Sequence, residues 1–404
     1  MQPRLVFVTL VLTSRLAALP SALAQIGPAP DPPSTAPAPL DDLTVEQSPA
    51  RLDLTTQLAE QRRAMQAAPD DVSAHLRTAE GLYRMGDLDA ALDECRMALS
   101  LNPGSTDAHL QLGVLLMAKQ DWRQAAAALQ EALRLDPTLT QAHYNLGSVH
   151  YAQGRLKAAV HSYEQALSLQ PDFPDARYHL ALVLKVENRH RDAIPHLEAA
   201  AAGGIPQAQF FLGNAYRHGH GVSSDLAQAV AWWVRADRSG YQPATDALSK
   251  LRRQALATAG STARQTEAQA AFRAFRGTLW EPFPDMVRQT DTDSLGAALL
   301  QQGRLEDALA ILLWETATLS EPAQQTLAQL YETGWHDSLA PFDTRILQCL
   351  NRTAADGFLP SSITLARIHA LGLGVPPDRE KATAALKGLP KHEQRVRLDE
   401  LGLR

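Results

Sequence analysis

Two histidines bracket a glycine at His218-Gly219-His220, and Asp225 follows within the same loop. Imidazoles and a carboxylate at that spacing could ligate zinc. Gly219 and Gly221, ahead of a helical pattern, could instead cradle an anion on backbone N–H groups. A second set is the column His75, His109 and His143, at intervals of 34 residues, with chemistry suited to metal binding or pH sensing. Cys95 and Cys349 supply the thiols, with no Cys-x-x-Cys and no zinc-type spacing. They lie far apart in the chain, and both are expected to be free and buried.

The loop has a counterpart. Gly219, Gly221, Val222, Asp225 and Ala229 recur as Gly372, Gly374, Val375, Asp378 and Ala382, but His218 and His220 correspond to Leu371 and Leu373. The loop therefore needs glycines to reverse direction, a valine to plug the turn and an aspartate to cap the next helix, with Gln228 at capping-box spacing from Asp225. The histidine column fares no better as a metal site. Helices packed about 10 Å apart hold their imidazoles too far apart to reach one zinc at about 2 Å. Gly-x-Ser-x-Gly, His-Glu-x-x-His, P-loop and Ser-x-x-Lys patterns are absent. Asp87, Asp89 and Glu94 read as solvated helix faces. Trp232 fits a core position, and Trp233 reads as a half-buried residue or a contact.

The elements that would position these residues are periodic. Pro69, Pro103, Pro137 and Pro171 are 34 apart, as are Ala91, Ala125, Ala159 and Ala193, and Ala79, Gly113, Gly147 and Ala181. A period of 34 marks stacked two-helix units. Ala159, Tyr163, Ala166 and Leu167 fall on one face of a second helix. Gly86, Gly154 and Asn188 suit a left-handed helix end, with Gln120 the exception. Proline after each second helix stops it.

At Leu112-Gly113, Leu146-Gly147 and the alanine and proline columns the chain resembles the tetratricopeptide repeat family, over residues 72–204 with a half unit at 52–68. At Leu212-Gly213, Tyr216, the Gly-x-Gly-Val, Asp225, Trp232, Gly240 and Ala244 it resembles the Sel1-like repeat, which has a longer inter-helix loop. A degenerate Sel1-like unit runs from 323 to 360, about two residues longer and reading Gly334-Trp335-His336-Asp337 where Gly-x-Gly-Val should stand, and another follows from 361. The expected architecture is an all-α solenoid: an array over 51–204, a Sel1-like repeat over 205–244, an irregular helical connector over 245–292, a tetratricopeptide-like hairpin over 293–322, degenerate Sel1-like repeats over 323–389 and a polar capping helix over 390–404.

The N-terminus is read separately. Residues 1–24 carry Arg4, an apolar run and Ala22-Leu23-Ala24, the pattern of a secretory signal peptide, with cleavage expected after Ala24. Removing Arg4 and Arg15 takes the formal charge from -6 to -8. Residues 25–50 are Pro-rich and read as an extended tether. A periplasmic or secreted bacterial protein follows, with no membrane span after cleavage. Its acidic balance is unlike a nucleic-acid binder.

The resemblance implies a groove lined by first helices. Its sixth positions are Arg77, Gln111, Asn145 and His179, with Tyr144, Tyr151 and Tyr178 adding aromatic surface. Arginine and aromatics are favoured anchors. The family's carboxylate clamp uses lysine where this chain has Ser73, Asp107, Gln141 and Asp175, so a basic or apolar protein or peptide partner is expected. The reading is a non-catalytic envelope adaptor without cofactor or metal. The alternatives are a regulator binding a membrane sensor, and a glycan-binding factor or hydrolase. The oligomeric state has no signature in the sequence.

Overall fold

The computed structural model describes residues 49–257, 266–283, 286, 292–336 and 338–403. The expected signal peptide, and the tether up to residue 48, lie outside the described residues. The chain divides into two compact units, residues 1–209 and 210–404, so the division falls ahead of the 245–292 connector.

Among the described residues the first unit is all helical. After α1 (Pro49–Ala67) come four hairpins: α2 (Val72–Arg84) with α3 (Leu88–Leu101), α4 (Thr106–Ala118) with α5 (Trp122–Leu135), α6 (Thr140–Ala152) with α7 (Leu156–Leu169), and α8 (Pro174–Val186) with α9 (His190–Ala202). Each turn closes alike. Gly86, Gln120, Gly154 and Asn188 all have φ between 59° and 86°. The next N–H returns to the helix five residues back: Asp87 to Leu82, Asp121 to Leu116, Arg155 to His150 and Arg189 to Leu184, at 2.8–2.9 Å. This is the Schellman ending. Gln120 adopts it without the freedom of glycine.

The small-residue column explains how close the two helices of a hairpin come. A Cβ on Gly113 would lie 2.6 Å from Leu129, and one on Gly147 would lie 2.7 Å from the Tyr163 ring. Both partners stand 16 residues on and are wholly buried. Cys95, 16 residues after Ala79, occupies the same core register.

The second unit continues from α10 (Pro206–His218), which crosses the division, into α11 (Leu226–Arg238), α12 (Gln242–Ala257) and α13 (Glu267–Thr278). Then come α14 (Leu295–Gln301), α15 (Leu305–Ala317), α16 (Glu321–Thr333), α17 (Thr344–Ala355), α18 (Leu359–Leu371), α19 (Arg379–Ala385), a 3₁₀ turn and α20 (Lys391–Glu400), which buries no residue. Gly296 meets Leu312 at the 16-residue register, whereas Gly213 meets Trp233, 20 residues on. The four extra residues are the longer Sel1-like loop.

Trp233 is therefore the core tryptophan, fully buried. Trp232, expected inside, is half-buried with the Arg235 guanidinium 4.4 Å over its ring. The sequence held the signal: Ala229 is the column alanine, and Trp233, four residues on, shares its face just as Tyr163 shares that of Ala159.

Within this unit α12 also contacts α17, far along the chain. Arg252 donates to Asp356 at 2.6 Å, and both side chains are at least nine-tenths buried. Ser249 bonds the same carboxylate. The buried Glu315 carboxylate accepts from Ser294 and from the backbone N–H groups of Leu295 and Gly296 at 2.6–3.2 Å, capping α14.

Candidate functional site

The loop between α10 and α11 is architectural. Gly219 and Gly221 have φ of 72° and 81°, and Gly372 and Gly374 both have 71°. The backbone bonds coincide. His220 N–H donates to Ala215 and Asp225 N–H to Tyr216; Leu373 N–H donates to Ile368 and Asp378 N–H to His369. Asp225 accepts from the N–H groups of Ala227 and Gln228, a cap without the return bond that a full capping box requires. In the degenerate unit the same bond runs from Phe342 N–H to Tyr331 at 2.7 Å, with two residues more between them.

His218 and His220 stack at 5.6 Å. Burial, then Arg217 and His220, hold the His218 imidazole below its usual range. Among the described residues no group of three or more His, Cys, Asp or Glu side chains is placed to hold a metal.

The histidine column has a structural task. Nε2 of His75, His109 and His143 donates to the carbonyls of Pro69, Pro103 and Pro137 at 2.9–3.0 Å. Arg177 makes the same link to Pro171 at 2.8 and 3.0 Å. The proline column supplies an orphan carbonyl at each inter-unit turn, and His75, His109, His143 and Arg177 each satisfy one. His75 does more, since Nδ1 also donates to Glu94 at 2.7 Å. Burial works against its charge, but Glu94 and the Pro69 carbonyl outweigh it and raise its pKa. Glu94 is thus a partner rather than only a solvated acid. The 34-residue register places Ala128, Ser162 and His196 in its column, so the repeats carry no recurring sign of this pairing.

The seven candidate groove residues separate into three groups. Arg77 is exposed and faces Asp71 at 3.6 Å, and Tyr178 is half-buried. Gln111, half-buried, donates to the Leu76 carbonyl at 2.9 Å, tying α4 to α2. Tyr144, Tyr151, Asn145 and His179 are buried, so Tyr144 and Tyr151 add core rather than the expected surface. Tyr144 packs on Phe173 at 4.9 Å and edge-on to His179 at 5.6 Å. His179 donates from Nδ1 to the Asp175 carbonyl at 2.8 Å. Tyr163 donates to Ser148, which donates to the Tyr144 carbonyl. The Asn145 amide nitrogen is buried without a hydrogen-bond partner among the described residues. Successive first helices of the unit contact one another, and this polar and aromatic cluster helps lock them.

The thiols are poor nucleophiles. Burial pushes the pKa of both Cys95 and Cys349 up to about 12. Cys95 donates to the Ala108 carbonyl at 3.3 Å. Cys349, expected to be buried, is half-buried.

Comparison with known families matches these elements. The TPR repeat pattern matches residues 115–154 and 148–185, a further tetratricopeptide repeat pattern matches 56–106, and the Sel1 repeat pattern matches 206–240 and 365–384. No curated protein matches the chain. Among solved structures, a Sel1 repeat protein from Oxalobacter formigenes is 19% identical, covering 88% of this chain and 90% of its own at a TM-score of 0.33. YrrB, described as a TPR protein with an unusual peptide-binding site, is 21% identical over 46% of this chain and 96% of its own, with a TM-score of 0.36. A thermophilic TPR protein from Thermus thermophilus is 23% identical over 41% of this chain and 92% of its own, with a TM-score of 0.36.

Proposed function

We propose that this chain, a tetratricopeptide-repeat protein with Sel1-like repeats, is a non-catalytic scaffold of the cell envelope that holds a protein or peptide partner along the first helices of its first unit. The observation that carries this reading is the row α2, α4, α6 and α8. Gln111 ties α4 to α2 and the Tyr144–His179 contact joins α6 to α8, while Arg77 and Tyr178 keep solvent contact. A rigid row with a cation and an aromatic at its surface suits a partner read by a few anchors. The envelope location rests on the N-terminal pattern of charge, apolar run and small residues. The non-catalytic reading is supported by two thiols that burial keeps protonated.

The test is crosslinking of the full-length protein in cells, followed by fractionation. A stoichiometric envelope partner that is lost in Arg77→Glu/Tyr178→Ala supports the proposal. A partner indifferent to that variant sinks the surface assignment, and a cytosolic mature protein sinks the location.

A further inference from the structure

The hairpin turns of the first unit change chemistry along the array. Asp87 caps α3 by accepting from Ala90 N–H at 3.2 Å, and Asp121 caps α5 by accepting from Gln124 N–H at 3.0 Å. At the same register α7 and α9 begin with Arg155 and Arg189, and neither makes a side-chain cap. Two residues on, Asp89 is followed by Arg123, Lys157 and Arg191 at intervals of 34. Cations there oppose the helix dipole, and arginine cannot accept the N–H bond that aspartate does. Local rules are broken in this way mostly where function asks for it.

Stacking brings these turns together. Lys119 of the second turn pairs with Asp89 of the first at 2.7 Å. Gln153 of the third donates to the Trp122 carbonyl of the second at 3.1 Å. Lys157 and Val160 face Glu187 and Arg189 across a cleft of about 620 Å³. The acids nearby are engaged: Asp121 in its cap, and Glu187 and Asp192 with Arg189. Arg123, Arg155, Lys157 and Arg191 are exposed, and none pairs with a carboxylate among the described residues. A chain of net charge -6 thus carries a row of free cations along one edge.

We propose that this edge, separate from the first-helix row, binds an extended acidic peptide segment. Neighbouring hairpins stack about 10 Å apart, and an extended strand rises about 3.3 Å per residue. Carboxylates about three residues apart therefore meet successive turns.

The probe is a fluorescein-labelled peptide of Glu-Ser-Gly repeats, long enough to cross the α5, α7 and α9 turns, titrated with the full-length protein by anisotropy. Binding should weaken by about ten-fold or more in Arg155→Glu/Lys157→Glu, fall as salt rises, and remain unchanged in Arg77→Glu. Arg155→Asp restores an aspartate cap, so it should raise the melting temperature while weakening binding, which separates loss of contact from loss of fold. The proposal is overturned by absent binding, by equal binding of a Lys-Ser-Gly peptide, or by wild-type affinity in Arg155→Glu/Lys157→Glu. Loss in Arg77→Glu would move the site to the first-helix row. Binding to phosphatidylserine vesicles but not to the peptide would replace the acidic segment with a membrane surface.

Discussion

The contact between Gly147 and Tyr163 gives the sharpest test of the hairpin geometry. An alanine Cβ at 147 would lie 2.7 Å from Tyr163 Cδ1 and Cε1, and 3.1 Å from Cγ. The ring cannot withdraw: it is fully buried, bonded through its hydroxyl to Ser148 at 3.0 Å, and stacked on His179 at 6.1 Å. Overpacking of this kind costs ~1–3 kcal/mol. Alanine in place of a helical glycine returns up to ~1 kcal/mol. The net expectation for Gly147→Ala is a loss of roughly 1–2 kcal/mol. The chain itself suggests the rescue, because the next hairpin carries Ala181 and Leu197 at these registers, both buried. Tyr163→Leu alone should cost ~2–3 kcal/mol through the void and the donor lost to Ser148. Gly147→Ala/Tyr163→Leu should cost less than the sum, with a coupling of ~1–2 kcal/mol. Gly277→Ala, with nothing within 4 Å of the added Cβ, should stabilise by ~0.5–1 kcal/mol. Urea unfolding followed by far-ultraviolet circular dichroism measures all four variants. A stabilising Gly147→Ala, or strictly additive losses, would refute the close-approach argument.

His75 should make the first unit pH-sensitive. Its folded pKa is raised, so its stabilisation is complete below about pH 6.5, the unfolded value, and is lost as pH rises through the folded value. Thermal melts should show this decline as pH rises above about 6.5, and Glu94→Gln should flatten it. Gln120→Gly should raise stability by ~0.5–1 kcal/mol, because φ of 62° suits glycine; an unchanged urea midpoint would show the turn to be unstrained. His218→Leu/His220→Leu should leave the melting temperature within the range of neutral surface changes, since the sister loop carries Leu371 and Leu373. Calorimetry with zinc should show no heat that this variant removes.

Much of the site was legible, and much was not, for identifiable reasons. Repetition exposed the proline, alanine and glycine columns, because each unit presents the same backbone problem to its neighbour. Comparison of two loops dismissed the histidines, because a residue needed by a backbone path recurs wherever the path does. Burial of single side chains was less accessible. Tyr144, Asn145 and His179 read as surface by position in the unit, yet they are core. Tyr178, next to His179, keeps solvent contact. Adjacent residues on a helix point about 100° apart, and the neighbouring hairpin decides which of them is covered. The Trp232–Trp233 inversion differs, because the spacing of Trp233 from the column alanine Ala229 already marked its face.

The sequence by itself determined the repeat period, the turns, the two loop lengths and the all-helical architecture, since these depend on local backbone preference and translation along the chain. Only the tertiary structure decided the rest. It joined Arg252 to Asp356 across a stretch with no period to count by. It assigned Glu94 to His75. It also gathered Arg123, Arg155, Lys157 and Arg191 onto one edge, because residues one repeat apart in sequence become neighbours only when the hairpins stack.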